Sequence, residues 1–158
     1  MEYSRALRVG MGLILLSYLI IGTLYAVNTP DWQPPDEPAH YNYVRTLAET
    51  GRLPVLRSGD YDQLYLSNLI SRGFPAGMTV DTLRYEGHQP PLYYLMATPL
   101  FIVSGGSLLV LRLFSVVLGA LAVWFAGKCA HVLFPRNYAV VLAVAGFVAF
   151  LPQHVAIM

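Results

Sequence analysis

Residues 6–27, ALRVGMGLILLSYLIIGTLYAV, carry no charge after Arg8 and are long enough to cross a lipid bilayer. About 20 apolar residues at a rise of roughly 1.5 Å each span the ~30 Å hydrocarbon layer as an α-helix. A cleaved secretory signal has a shorter apolar core and ends in a small-residue cleavage site, which Leu24-Tyr25-Ala26-Val27 matches poorly. We therefore interpret residues 1–27 as a cytoplasmic N-terminus and a first transmembrane helix.

The composition is typical of a membrane protein with one hydrated segment. Charged residues make up 12% of the chain, and the mean hydropathy of +0.51 is too apolar for an ordinary soluble domain. Eight of the nine acidic residues nevertheless fall between residues 28 and 90. A net charge of +1 and an acid-rich polar segment provide no basic stripe for phosphates, so we expect no nucleic-acid partner. The single cysteine, Cys129, allows no internal disulfide.

Three further segments follow the first transmembrane helix. Residues 28–90 form a polar outer loop, and residues 91–107 contain an apolar run of about 13 residues, which is short for a span and typical of an interfacial or re-entrant helix. Residues 108–158 hold two longer apolar runs, Leu108 to Ala130 and Tyr138 to Met158, joined by a basic connector. We expect an all-α membrane protein with three transmembrane helices.

Basic residues beside the apolar runs predict the orientation. Arg5 and Arg8 precede the first helix, and an excess of Lys and Arg in short flanks marks the cytoplasmic side. Residues 28–107 then lie on the outer face, and the connector with Lys128 and Arg136 is cytoplasmic, in a multi-pass protein of the cell (inner) membrane. The alternative counts the short apolar run as a full span, which gives four spans and places the connector outside.

Two amphipathic juxtamembrane helices are predicted within the outer loop. In Pro38 to Thr50, apolar residues recur at helical spacing, so we expect a helix that lies on the membrane surface and ends at Gly51. A second helix is predicted over Tyr61 to Arg72, with Asp60 as its N-cap and Gly73 as its stop.

Pro34-Pro35-Asp36-Glu37-Pro38-Ala39-His40-Tyr41 places two acids and a histidine just past the first transmembrane helix. A carboxylate held by prolines can accept a proton from a bound hydroxyl, so Asp36 and Glu37 are the candidate catalytic residues, with His40 beside them. The alternative interpretation is structural, because acids at the start of a helix complement the positive end of its dipole. The sequence leaves both interpretations open.

Glu86-Gly87-His88-Gln89-Pro90-Pro91-Leu92-Tyr93-Tyr94 returns the chain to the membrane where the first motif leaves it. We therefore expect the two motifs to meet, with Glu86, His88 and Gln89 sharing a site with His40. Ordinary loop hydrogen bonds, and an aromatic interface belt for the two tyrosines, are the alternative. No zinc motif is present, so we assign no metal ligands.

These motifs, followed by Leu-Arg-Leu-Phe-Ser at residues 111–115 opening another apolar helix, resemble the amino-terminal part of the GT-C superfamily of integral membrane glycosyltransferases. More narrowly, the chain resembles bacterial membrane proteins with a Pro-Pro-Asp-Glu-Pro-x-His signature, distantly similar to protein O-mannosyltransferases and the lipid A aminoarabinose transferase. The resemblance spans residues 6–158. It implies a GT-C-like N-terminal module and transfer of a sugar from a polyprenyl-phosphate carrier to an acceptor on the outer face of the membrane.

The resemblance also implies roles for individual residues. Asp36 matches the family's acidic residue in the first outer loop, the base that deprotonates the acceptor hydroxyl. Glu37 would orient the acceptor or share a divalent cation, the one cofactor for which the resemblance leaves room. Glu86 and His88 match positions that line the same cavity. Arg112 would contact the carrier phosphate, whose departure requires stabilisation of its charge.

Members of that superfamily have many more spans, so we expect missing helices or a complementary subunit as partners, together with membrane lipids, and no activity from the chain alone. The rival interpretation is a non-catalytic membrane subunit that binds a lipid-linked glycan or a partner protein. A part of a secondary transporter is a weaker third interpretation, because intramembrane ionisable residues are nearly absent.

Overall fold

The computed structural model describes residues 5–75 and 77–151, and within these ranges the regular structure is helical with no strand. The prediction of an all-α fold is therefore confirmed. A 3-10 helix covers Tyr85–His88. The α-helices are α1 (Arg5–Asn28), α2 (Glu37–Thr50), α3 (Gln63–Ser71), α4 (Leu92–Val103), α5 (Leu108–Leu133) and α6 (Tyr138–Phe150).

Two of these helices, α1 and α5, are long and apolar enough to cross a membrane. The 24 residues of α1 and the 26 residues of α5 each exceed the ~20 residues that the hydrocarbon layer requires. In contrast, α4 has 12 residues and α6 has 13, which correspond to roughly 18–20 Å at 1.5 Å per residue. The predicted third span extended to Met158, and residues 152–158 lie outside the described residues.

The chain forms two compact units. The first, here called the helical unit, joins α1 to the chain from Arg112 onward. The second, here called the loop unit, is Thr29–Leu111.

The helical unit packs α5 and α6 against α1 through small residues. A Cβ atom at Gly127 of α5 would lie 2.5 Å from Cε of Met11, and one at Gly10 of α1 would lie 2.8 Å from Cδ2 of Leu142 in α6. Glycine at these positions leaves room for the ends of the Met11 and Leu142 side chains, which lie against the backbone of the neighbouring helix. Large apolar side chains such as Leu13 cover the outer faces, as a lipid environment requires.

Two contacts, one near each end of α1, show the direction of α5. Met11 near the start of α1 lies beside Gly127 near the end of α5. Near the end of α1, Ala26 accepts a hydrogen bond from Arg112, which lies near the start of α5. The two helices therefore run antiparallel, so that the chain leaves the helical unit and returns to it at the same end of the bundle.

The loop unit is built around α2, whose position the sequence predicted. The acid Glu37 and the proline that follows it suit the first turn of a helix, and Gly51 ends the helix with a φ of +65°. The apolar face formed by Ala39, Tyr43 and Leu47 is buried within this unit, where α2 packs against α4. The face that the sequence analysis assigned to the membrane surface therefore packs against protein instead.

The second predicted helix, α3, is present with a different cap. The Asp62 carboxylate accepts a hydrogen bond of 2.9 Å from the amide of Tyr65, whereas Asp60 instead accepts one of 2.6 Å from the amide of Arg57. The N-cap is thus Asp62, two residues after the predicted Asp60. Leu69 anchors α3 in a small core with Val80 and Leu83.

Candidate functional site

The segment before α2, residues 32–36, forms a bend held by its own side chains. The backbone amide of Trp32 donates a hydrogen bond of 2.8 Å to Oε2 of Glu37, and the backbone oxygen of Pro34 accepts one of 3.3 Å from the Glu37 amide. Glu37 therefore braces the bend that presents Asp36. We call residues 32–40 the first corner.

Asp36 occupies the N-cap position of α2 but does not cap the helix with its side chain. Its φ of +58° is left-handed, unlike the extended backbone of a typical N-cap residue. The carboxylate instead accepts a hydrogen bond of 2.8 Å from the hydroxyl of Tyr85. Asp36 therefore does not act as a side-chain helix cap. The alternative in which its charge complements the helix dipole needs no such bond and stays a prediction.

The second corner, residues 85–89, is anchored to α2 through the chain that precedes it. Nδ2 of Asn42, a buried residue of α2, donates to the backbone oxygens of Val80 (2.7 Å) and Leu83 (2.8 Å). The amide of Arg84 donates to the backbone oxygen of Asp60 at 3.0 Å. These bonds position the 3-10 helix that begins at the next residue.

Tyr85 joins the two corners. Its hydroxyl contacts Asp36, 49 positions earlier in the chain, and its ring packs edge-on against Tyr61 with centroids 5.1 Å apart. Burial and the hydrogen bond to the Asp36 carboxylate raise the pKa of the Tyr85 phenol, so it remains a hydrogen-bond donor across the physiological range. The two motifs thus meet in space, as the sequence analysis expected.

Glu86, Gln89 and His88 form a small group on the second corner. Glu86 is 8% exposed and accepts a hydrogen bond of 2.8 Å from Nε2 of Gln89. The side chain of His88 is 64% exposed, and its Nε2 lies 4.0 Å from Oε2 of Glu86. Both the amide of Gln89 and the imidazole of His88 therefore lie on the Oε2 side of the buried carboxylate.

His40 lies in an aromatic cluster between the corners. Its Nδ1 is 2.7 Å from the hydroxyl of Tyr94 in α4, and Tyr94 stacks on Tyr43 with ring centroids 3.6 Å apart. Burial lowers the pKa of His40, an effect that the carboxylates of Glu86, Asp36 and Glu37 oppose and that His88 reinforces. Groups from both corners therefore act on this imidazole.

A cavity of about 490 Å³ lies between the first corner and α3. Asp36 and Tyr85 meet at its wall, and Trp32 and Phe74 supply aromatic surface. Asp36 is the one predicted site residue in this wall. The rest of the wall is formed by Gln33, Pro34, Pro35, Pro38, Leu66, Ile70 and Gly73.

No family model, curated protein or solved structure matches this chain.

The backbone of the cavity wall is strained. Within the described chain, the non-glycine residues with positive φ are Trp32 (+68°), Asp36 (+58°) and Phe74 (+54°), and all three line the cavity. Such a conformation is rare for bulky residues and costs about 1–3 kcal/mol at each position. Strain of this kind persists where the surrounding structure enforces it, and it clusters at functional sites.

Arg112 belongs to the helical unit and is 5% exposed. Its Nη1 donates a hydrogen bond of 2.9 Å to the backbone oxygen of Ala26, in the last turn of α1. Carbonyls of a last helical turn lack intrahelical partners, so a guanidinium there is favourable for the helix. Arg112 is buried within the helical unit, and its contact with a carrier phosphate stays a prediction.

Metal binding gains no support from the carboxylates. Among residues 5–75 and 77–151, no group of three or more His, Cys, Asp and Glu side chains could hold a metal ion. Asp36, Glu37 and Glu86 each accept a hydrogen bond from a different partner. The divalent cation that the resemblance allows at Glu37 stays a prediction.

Trp32, Phe74 and Tyr85 are the aromatic wall residues among those that sequence reasoning missed. A positive φ at Trp32 and Phe74 has no signal in residue type, because glycine and asparagine are the residues that favour it. Tyr85 directly precedes Glu86 and is an obvious candidate only once the fold places it against Asp36.

Proposed function

We propose that this chain is part of a GT-C-type membrane glycosyltransferase that transfers a sugar from a polyprenyl-phosphate carrier to an acceptor on the outer face of the membrane. In this proposal it acts with further helices or with a complementary subunit. The observation that carries the proposal is the Asp36 carboxylate, which does not cap its helix and lies with Tyr85 in the wall of a cavity.

Asp36 would act as the general base. As the acceptor oxygen attacks the anomeric carbon, its proton moves to the carboxylate and the carrier phosphate leaves with the bonding electrons. Tyr85 donates to Oδ1, so we assign the incoming proton to Oδ2. The exposed position of Asp36 lets an acceptor hydroxyl reach it.

The remaining predicted residues would orient this base and its surroundings. Glu37 holds the bend before Asp36, and Gln89 holds the buried Glu86. The lowered pKa favours the neutral form of His40 at neutral pH, so it would act through hydrogen bonding. His88 is exposed and would contact bound substrate.

The direction of the helices supports three spans with an outer loop. Because α1 and α5 are antiparallel, the chain from Thr29 to Leu111 begins and ends at the same end of the helical unit. This direction favours an even number of crossings, including none, between them, and so favours α4, with its 12 residues, as a helix that does not span the membrane. The basic N-terminal flank favours the outer face for that end.

A second candidate function is a non-catalytic subunit that binds a lipid-linked glycan. The largely apolar wall of the cavity, with the prolines of the first corner and Leu66 and Ile70 of α3, favours it. In that case Asp36 would serve only as a hydrogen-bond acceptor for the ligand.

Replacement of Asp36 distinguishes the glycosyltransferase from the non-catalytic subunit. In the full-length protein in its own membrane, Asp36→Asn should abolish transfer of a radiolabelled sugar from its polyprenyl-phosphate donor, while expression and membrane insertion remain normal. Asp31→Asn is the matched control, because this exposed acid on the same segment lies outside the described wall of the cavity. Retained transfer by the Asp36 variant would favour the subunit.

A further inference from the structure

The charge of the cavity between the first corner and α3 restricts what it can bind. Asp36 is the carboxylate of its wall, and none of the wall residues that the structure describes is Lys or Arg. A phosphate placed there would face a negative charge with no cation to offset it. The cavity is therefore unsuited to the carrier phosphate of a glycosyl donor.

The aromatic surface selects the ligand further. The aromatic residues Trp32, Phe74 and Tyr85 line the cavity together with Asp36, and Gln33 is also in the wall. A ligand that uses this wall needs an apolar face for the rings and hydroxyl donors for Asp36. Hydrocarbon chains lack the donors, whereas a sugar ring has both features.

The size and rigidity of the cavity agree with a small ring ligand. Its volume of about 490 Å³ lies within the ~300–1,000 Å³ typical of small-molecule sites. Trp32, Asp36 and Phe74 share a left-handed backbone conformation that the surrounding fold imposes. Preformed walls of this kind favour binding of a ligand with a defined shape.

We infer that this cavity is the acceptor site and that it takes a neutral sugar ring, which stacks on the aromatic wall and donates a hydroxyl hydrogen bond to Asp36. The inference rests on the proposed function, since it names the class of acceptor that the base would act on. In this inference the acceptor site is distinct from the donor site, because the carrier phosphate in the donor site requires positive charge.

Tryptophan fluorescence tests the inference without any transfer reaction. The chain has two tryptophans, so Trp124→Phe leaves Trp32 as the only emitter. The purified chain, in a detergent that contains no sugar, is titrated with the methyl glycosides of glucose, mannose, galactose and arabinose, and with the 1-phosphates of the same sugars. The matched control is Trp32→Phe, which retains Trp124 and should show no change.

We expect at least one neutral glycoside to change the Trp32 emission saturably and to bind roughly 10-fold tighter than its 1-phosphate. Asp36→Asn should weaken binding of the neutral glycoside roughly 10- to 100-fold, the value of one hydrogen bond to a charged group, and should reduce the preference for the neutral glycoside over its 1-phosphate. Asp31→Asn should change neither. Tighter binding of the phosphates, or no saturable change with any glycoside, would overturn the inference.

The glycoside titration tests the acceptor site, and the transfer assay of Asp36→Asn tests the proposed function, so either can fail without the other. If Asp36→Asn abolishes sugar transfer but no glycoside binds the cavity, the glycosyltransferase proposal stands and the acceptor assignment fails. If glycosides bind and Asp36→Asn retains transfer, the cavity is a sugar site and the catalytic role of Asp36 fails.

Discussion

The hydroxyl of Tyr85 donates a hydrogen bond of 2.8 Å to the carboxylate of Asp36, across 49 positions of sequence. This bond fixes the orientation of one carboxylate oxygen and joins the two proline-flanked corners of the loop unit. Asp36 has no cap bond to its own helix, so Tyr85 is the side chain that positions it.

Tyr85→Phe tests this positioning role. It removes the donor and keeps the ring, so we expect sugar transfer in the full-length protein to fall roughly 10- to 100-fold, the value of one hydrogen bond to a charged group. The loss should appear in kcat with little change in KM for the donor, because the donor phosphate binds elsewhere in our proposal. The measurement is steady-state kinetics with purified polyprenyl-phosphate donor.

Tyr61→Phe is the matched control for that experiment. Tyr61 packs against the Tyr85 ring, but its hydroxyl bonds to Gln63 on the exposed surface. Its replacement should leave kcat within about twofold of wild type. Equal losses in the two variants would show that the effect follows the loss of either phenol hydroxyl and is not specific to the hydrogen bond from Tyr85 to Asp36.

Replacement of Asp62 at the start of α3 and of Asp36 at the start of α2 should have opposite effects on stability and on sugar transfer. Asp62 caps α3 through the amide of Tyr65, so Asp62→Ala should lower the free energy of unfolding by about 1 kcal/mol and retain transfer. Asp36 makes no cap bond, and asparagine tolerates its left-handed backbone, so Asp36→Asn should change stability by less than about 1 kcal/mol and abolish transfer. Thermal unfolding in detergent and the transfer assay measure both.

The Asp36→Asn and Asp62→Ala variants can also contradict a catalytic role of Asp36. If Asp36→Asn destabilises the protein as much as Asp62→Ala does, the acid at the start of α2 has the structural role that the sequence left open. Transfer lost in both variants would instead show that activity follows stability.

Local signals in the sequence predicted where the helices of the loop unit lie, but they did not predict which surfaces those helices contact. The spacing of Ala39, Tyr43 and Leu47 identified α2, because helical periodicity depends only on neighbouring residues. Their burial against α4 depends on a partner about 50 positions away, and a pattern of apolar residues does not distinguish protein from lipid as the surface that covers it. The N-cap of α3 also depends on neighbouring residues, so the predicted cap, Asp60, lies only two residues from the observed cap, Asp62.

The candidate site was predictable in part. Proline-flanked acids on both sides of one hydrated loop indicated that Asp36 and the residues near Glu86 would meet, and the Tyr85 hydrogen bond brings them together. The cavity itself was not predictable. Its walls depend on positive φ at Trp32 and Phe74, a conformation that their residue types disfavour and that only the surrounding fold imposes.

The lowered pKa of His40 predicts acid sensitivity of the loop unit. Because the pKa of His40 is lower in the folded than in the unfolded state, the unfolded chain takes up the proton first as pH falls through about 6.5. The contribution to stability is present above that pH and is lost as pH falls toward the lower folded pKa. Glu86, Asp36 and Glu37 oppose this effect, and His88 reinforces it.

His40→Gln measures that contribution. We expect the melting temperature of the wild type to fall between pH 7.5 and pH 5.5, and we expect a smaller fall for the variant, which cannot take up the proton. Thermal unfolding followed by circular dichroism at the two pH values checks this. An identical fall in both proteins would show that other groups cause the acid sensitivity.

Cysteine labelling tests the orientation that the proposal requires. In a Cys129→Ala background, a cysteine replacing exposed Thr82 of the loop unit should react with a membrane-impermeant maleimide in intact spheroplasts. One replacing exposed Arg136, between α5 and α6, should react only after permeabilisation. His131 is a poorer position, because it is buried and a cysteine there would report burial and not sidedness. Labelling at both positions from outside would contradict the three-span arrangement, because it requires a further crossing between α1 and the connector.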